Sequence, residues 1–407
     1  MGVLSEILRR LARVMTQVTI LQAVPRLEAG GSEQSTVEIT QALTRAGAHA
    51  LVATEGGRMA TEVEAAGGEI IPLPMASKNP LTILANARRL AEIIEARDVA
   101  LLHARSRAPA WSAFFAARRT KRPFVTTYHG AYSSPVPLKT LYSSVMARGD
   151  RVIANSHYTA GLIAARHQVP RERMRVIYRG IDLSQFDRES IEPSRLSRLR
   201  NAWGVRERQK IVLQAARLTS WKGQAHVIEA AQRLRDAGQL GDAVFILAGD
   251  AQGRDGYRET LEAQIRGADL EDRVRLVGHC DDIPAAFSLA TVAVIASTSA
   301  ETFGRTSIES QAAGCPVIVT GVGAAPENVI PASSSERFTG WVVSPADSEA
   351  LAASLAEALA LPPKDRAAIG LRGRAHVERT FALEEMQRAT LAVYDELLGT
   401  DLAVQFR

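Results

Sequence analysis

Residues 292–320, VAVIASTSAETFGRTSIESQAAGCPVIVT, carry a short β-branched run, a polar loop, a helical stretch and a second β-branched run. The runs 292–296 and 317–320 read as buried strands, and Gly304 reads as the start of the helix between them. Strands separated by a helix at this spacing form a βαβ unit, whose strands pair parallel and are covered on both faces. The same alternation extends in both directions. Upstream, 211–215, 244–248 and 274–277 read as strands. After Lys222, Val227, Ala230, Ala231 and Leu234 recur at i, i+3, i+4 and i+7, which defines the buried face of a helix. Beyond Trp341 the pattern is mainly helical through Leu398, with Pro362 and Pro363 as a break.

A first set of units precedes these. Strands are expected at 18–23, 48–54, 99–103, 124–128, 151–154 and 174–178. After Gly30 and Gly31, Ser32 is placed to cap a helix and Glu33 to favour its positive first turn. Ile39, Leu43 and Ala46 then share one face, and Gly47 supplies the stop. From 186 to 208 the periodicity dissolves into charged and polar residues, which places a domain boundary there. The fold class is therefore α/β, with two doubly wound domains and a helical C-terminal segment.

Size and composition agree with this division. A chain of 407 residues is long enough for two or three domains, and its 46% apolar and 23% charged content is that of an ordinary globular protein. Cys280 and Cys315 have neither CxxC nor Cys/His spacing, which argues against a disulfide framework or a structural zinc and points to a reducing cytoplasm. No run approaches the length of a membrane span, and no signal peptide is evident.

The net charge of +5 is unevenly distributed: −1 over residues 1–100, +12 over 101–200 and −6 over the remainder. That basic block suits an anionic membrane surface or an acidic or phosphorylated substrate, and equally a solvated face. Nucleic acid is the weakest partner, because the block lacks interleaved aromatics and no recognised binding motif is present. Residues 1–14, with Leu4, Leu8 and Leu11 beside Arg9, Arg10 and Arg13, read as a short amphipathic helix, for membrane contact or for docking on the first domain.

Ligands of doubly wound sheets bind beyond the carboxyl ends of strands, in the cleft that two such domains imply. Four loops there carry chemistry. At Gly30-Gly31 the backbone can approach a phosphate closely ahead of a helix N-terminus, although most glycine pairs are tight turns. His129, directly after a strand, suits a hydrogen bond to a substrate hydroxyl or proton transfer, or a structural role. Arg217 and Lys222, five residues apart between strand and helix, suit a diphosphate, or are two solvated charges. The P-loop spacing is absent. Glu301 and Glu309 flank the helix start at Gly304, where open amides suit phosphate oxygens and the carboxylates suit sugar and ribose hydroxyls. A glycosidase carboxylate pair, or a buried glutamate capping nearby amides, is the other reading of these two.

With these residues in place, the chain resembles family four of the glycosyltransferases, the large retaining, nucleotide-sugar-dependent family that includes bacterial glycogen synthase and sucrose synthase. The matching pieces run nearly the full length: AGGSE (29–33), TTYHG (126–130), NSHYT (155–159), RVIYRGID (175–182), ARLTSWKG (216–223), ILAGD (246–250) and SAETFGRTSIESQAAGCPVIVTGVGAAPENV (299–329). The last holds the family's Glu-x7-Glu element.

The resemblance implies the GT-B arrangement, two Rossmann-like domains facing across a cleft. Residues 1–190 form the acceptor side and 191–382 the nucleotide-sugar side, with the helix of about 383–407 returning to the first domain. It implies that Arg217 and Lys222 bind the donor diphosphate, Glu309 the ribose, and Glu301 and His129 the transferred sugar. Gly30 and Gly31 would face the phosphates, and Phe303, Gly304, Arg305 and Thr306 would shape the sugar and phosphate pocket.

The expected reaction is retaining, metal-independent transfer of a sugar from a UDP-, GDP- or ADP-sugar co-substrate to a glycan or lipid-linked acceptor. No cofactor is expected, and no Asp-x-Asp motif is present. The setting implied is envelope polysaccharide or lipopolysaccharide synthesis in the cytoplasm, in peripheral contact with the inner face of the membrane. A GT-B nucleotide-sugar epimerase and a noncatalytic scaffold are the alternatives; a glycan phosphorylase lacks its lysine motif. Two departures bear on specificity: Tyr178-Arg179 stands where the family often has Pro-Asn, and Ser310-Gln311-Ala312 where Ala-Met-Ala is common.

Overall fold

A computed structural model describes residues 17–28, 30–130, 137–251, 253 and 255–407. The chain forms two compact units, one of residues up to Arg179 together with Glu384–Arg407, the other Gly180–Leu383. The amphipathic reading of residues 1–14 lies outside the described residues.

The first unit is built on a seven-stranded sheet of β1 (Thr19–Ala23), β2 (His49–Thr54), β3 (Glu69–Pro72), β4 (Val99–Ala104), β5 (Phe124–Tyr128), β6 (Arg151–Ala154) and β7 (Met174–Val176). Their order is 3-2-1-4-5-6-7, and every pairing is parallel. Register follows burial. Leu21 pairs with Leu51 and Leu102, and all three point into the core shared with Leu90 and Ile94 of helix Pro80–Ala96 and Ala113 and Ala116 of helix Arg107–Thr120. A smaller cluster, Val24, Leu27, Val52, Met59 and Val63, forms a second packed region of the same unit.

The second unit repeats the pattern with β8 (Ile211–Ala215), β9 (Val244–Ala248), β10 (Val274–Gly278), β11 (Val292–Ile295), β12 (Val317–Thr320) and β13 (Gly340–Val343), all parallel in the order 10-9-8-11-12-13. Val227, Ala230, Ala231 and Leu234 are buried against Val212, Phe245 and Val294 of the sheet, as their spacing requires. These are two Rossmann-like domains, each with the strand order in which successive crossovers place helices on both faces.

Four local expectations need correction. β3 and β13 were not anticipated, because both are four-residue edge strands: β3 has no fully buried residue, and β13 begins at a glycine. Ser32 does not cap its helix, which starts at Gly31; the Ser32 hydroxyl donates instead to Glu33 at 2.7 Å. The stretch 186–208 is not irregular throughout, since Pro193–Ala202 is helical. No residue of that helix is fully buried, and Arg195 anchors it through a two-pronged contact with Asp282 at 2.8 and 2.7 Å. Finally, residues 180–190 group with the second unit rather than the first, because Ile181 bridges to Ala382 and the Leu383 N–H donates to the Ile181 carbonyl at 3.0 Å.

Candidate functional site

In the second unit the sequence-derived residues gather where β8, β11 and β12 end. The loop 216–223 is locked down by close backbone approaches. Gly223 has φ of 75°, and a Cβ there would lie 1.9 Å from the Ala296 carbonyl oxygen. A Cβ at Gly249 would lie equally close to that of Ala216. Two buried glutamines extend from the frame: Gln214 donates to the Lys222 carbonyl at 2.7 Å and Gln224 to that of Arg217 at 2.9 Å. The Thr298 N–H donates to the Trp221 carbonyl at 2.8 Å, joining this loop to the one after β11.

That frame brings Lys222 Nζ to 2.8 Å from Glu301 Oε1, with both side chains mostly buried. The ammonium also lies 4.5 Å from the centre of the Trp221 ring, and the Ser297 hydroxyl donates to the same Glu301 oxygen. Glu301's own backbone is held by Gly323, where a Cβ would come within 2.4 Å of the Glu301 carbonyl oxygen, and by the Ala324 N–H at 2.9 Å. Arg217 stands on the same loop, exposed.

Next along the chain, Gly304 takes φ of 82° and begins the helix Arg305–Ala312 with no side-chain cap. Asn328 fixes that turn, its amide donating to the carbonyls of Phe303 at 2.6 Å and Gly304 at 3.2 Å and to the Ser307 hydroxyl at 2.8 Å. Thr306 occupies the first turn, half-buried. The Phe303 ring is buried edge-on against Phe381 at 5.9 Å, and its backbone belongs to the turn. One turn on, Glu309 receives Arg305 Nε at 3.0 Å. Burial pushes the Glu309 carboxyl above its ordinary range, and Arg305 opposes the shift. A desolvated carboxylate with one partner has acceptor capacity left for hydroxyl donors.

The first unit gathers the other residues. Gly30, with φ of 156°, and Gly31 follow β1, His129 follows β5, and Arg179 follows β7. The Arg179 guanidinium covers Gly31, where a Cβ would lie 1.6 Å from Nη1, and Arg179 Nη2 lies 2.8 Å from His129 Nδ1. Beneath runs a buried polar network. Arg105, 3% exposed, donates to Gln22 Oε1 from Nε and Nη2 at 3.1 and 2.9 Å. His103 joins Tyr394 and Thr127 at 2.7 Å each. Burial holds both His103 and His129 well below the usual imidazole range, reinforced by Arg105 at His103 and by Arg179, Arg105 and His103 at His129. A cavity of about 460 Å³ opens beside Gly30, lined also by Gln34, Arg58, Met59 and Glu62.

Arg105, Gln22, Gln214, Gln224, Ser297 and Asn328 escape sequence reading as site components. Gln22 and Gln214 did leave a signal, a lone amide following an apolar run within a buried strand. Arg105 left none, since a single arginine in a basic block has nothing to distinguish it.

Comparison with known proteins follows the same division. Residues 29–185 match the profile of Glycosyltransferase Family 4, and residues 197–376 that of Glycosyl transferases group 1. The lipopolysaccharide core biosynthesis mannosyltransferase LpsB of Rhizobium meliloti is 31% identical over 255 residues, 62% of this chain and 68% of that protein. A solved glycosyltransferase from Rickettsia africae is 32% identical, superposes with a TM-score of 0.86, and covers 95% of this chain and all of its own. Anabaena HepE, solved with UDP and glucose, shares the fold at a TM-score of 0.78 and 24% identity over 94% of this chain and all of its own. The chain spans about half the length of several curated relatives it matches, 52% and 48% in two cases.

Proposed function

Because the chain belongs to the family 4 glycosyltransferases of GT-B fold, we propose that it moves a sugar from a nucleoside-diphosphate sugar to a glycan or lipid-linked acceptor with retention at the anomeric carbon. The observation that carries this reading is the Lys222–Glu301 contact at 2.8 Å, a cation and a carboxylate pre-positioned at the end of a strand.

On this reading Lys222 and Arg217 take the diphosphate, with the open amides of the turn at Gly304 and Arg305. Glu309 accepts from the ribose hydroxyls, which restores partners to a carboxylate that burial has stripped of water. Glu301 accepts from a hydroxyl of the transferred sugar. As the bond from the anomeric carbon to the phosphate oxygen breaks, its electron pair leaves with the nucleotide. The acceptor oxygen bonds to the same face of the carbon, and its proton passes to the departing phosphate. Charge develops on the diphosphate, where each charged hydrogen bond is worth about 1.5–3 kcal/mol, so the cations perform the neutralisation without a metal.

The setting proposed is envelope polysaccharide or lipopolysaccharide assembly, a reading that the LpsB relationship supports. Among the described residues no helix is long and apolar enough to cross a membrane. What supports peripheral contact is the first unit's surface: Leu81, Leu84, Phe115, Leu138 and Leu141 are exposed on helices Pro80–Ala96, Arg107–Thr120 and Pro137–Ser143, and the same unit exposes the cations Arg118, Arg119, Lys121, Lys139 and Arg148.

Calorimetric titration of UDP-, GDP- and ADP-sugars, with and without EDTA, tests the donor site. One donor is expected to bind in either condition, and Glu309→Ala is expected to weaken it by about 10-fold or more. If no nucleotide sugar binds, the assignment fails.

A further inference from the structure

Arg179 lies where the chain leaves the first unit, and its guanidinium is fixed at two places at once. It covers Gly31, where a Cβ would come within 1.6 Å of Nη1, and its Nη2 reaches 2.8 Å from His129 Nδ1. A guanidinium carries donors only and keeps its charge at any working pH, so the atom it meets must bring a lone pair. Nδ1 of His129 is therefore unprotonated, and a neutral imidazole with a bare Nδ1 has its hydrogen on Nε2.

We infer that Arg179 is a positioning residue that fixes His129 as its neutral Nε2–H tautomer, so that this position offers a hydrogen bond to a ligand oxygen and does not accept a proton. The oxygen is a sugar hydroxyl or a phosphate oxygen. The inference rests on the proposed function only in naming that ligand; the tautomer follows from Arg179 and His129 themselves.

The surroundings act in the same direction. Arg105 and His103, both at the end of β4, and Arg179 after β7 face the imidazole, and each disfavours its protonation along with burial. The carboxylate at the start of the neighbouring helix, Glu33, turns instead to Gly30 and Ser32. Tyr394 and Thr127 take the two nitrogens of His103 and hold that ring beneath. An asparagine or glutamine at 179 could present either its oxygen or its amide to Nδ1, and so would leave the tautomer open.

The test is ¹⁵N NMR of the histidine side chains in the full chain, with His129→Gln identifying the His129 signals. In the wild type, an unprotonated Nδ1 and a protonated Nε2 are expected, unchanged through the ordinary imidazole range. In Arg179→Met the ring is expected to show both tautomers and to titrate at higher pH than in the wild type, and Arg179→Lys, again a donor-only cation, is expected to restore the Nε2–H form. A protonated Nδ1 or an ordinary titration in the wild type overturns the proposal, as does an Arg179→Met spectrum identical to it. If Arg179→Met does not fold, the wild-type tautomer alone decides. None of these signals depends on turnover. Absence of donor binding therefore sinks the transferase reading while leaving the tautomer to stand or fall on its own.

Discussion

Burial of Glu309 carries a cost that Arg305 opposes. Its carboxyl is buried with Arg305 as partner, and its proton is held more tightly in the folded chain than in the unfolded one. A raised carboxyl pKa contributes stability at low pH that is lost as pH rises through the folded value. Glu309→Gln removes that loss. The melting temperature of the variant relative to wild type is expected to climb as pH rises from the ordinary carboxyl range through the raised folded value, while donor binding weakens. A constant difference across that range would show that burial does not govern this group. Histidine titration has the opposite sign. His103 and His129 have depressed values, so the stability they contribute above about pH 6.5 is lost as pH falls.

At the scale of elements, close backbone approach carries the donor site. Gly223 and Gly238 both have positive φ, 75° and 68°, yet a Cβ at Gly223 would strike the Ala296 carbonyl while one at Gly238 meets nothing within 4 Å. Both alanine substitutions incur the left-handed penalty of about 1–2 kcal/mol; Gly223→Ala adds the collision and should push the 216–223 loop off the strand end. Denaturant unfolding is expected to show the larger loss at Gly223, with donor binding abolished there and retained in Gly238→Ala. Equal losses would mean that the loop yields easily. The elements themselves were largely legible. Buried parallel strands are continuous apolar runs, so β5, β6, β8, β9 and β12 emerge with their limits as read. The edge strands β3 and β13 and the helix Pro193–Ala202 are less legible: β3 is only half-buried, β13 is a four-residue strand that begins at a glycine, and the helix has no buried residue.

For the molecule as a whole, the C-terminal helix is part of the first unit's core. Tyr394 meets buried His103, Gln387 donates to the Glu38 carbonyl at 2.7 Å, and Glu396 pairs with Arg151 and Arg175. A chain ending at Leu383 should therefore show faster hydrogen exchange in β4 and β6 with β8–β13 still protected; unchanged exchange in β4 would remove the helix from that role. Membrane contact is tested with vesicles: binding to anionic vesicles at low salt, lost at high salt or on neutral vesicles, is the expected result. No binding to either would leave the exposed leucines without that role.

By itself the sequence determined two α/β domains of parallel strands, and the strand-end loops that bear Gly30, Gly31, His129, Arg217, Lys222, Glu301 and Glu309. Apolar periodicity and glycine placement are local properties, written in the order of residues. Only the tertiary structure decided that Lys222 meets Glu301, that Arg305 meets Glu309 and that Arg179 reaches back to Gly31 and His129. Distance and desolvation decide those contacts, and most join residues far apart in the chain. Arg305 and Glu309, though one helical turn apart, depend on the fold for the burial that perturbs the carboxylate.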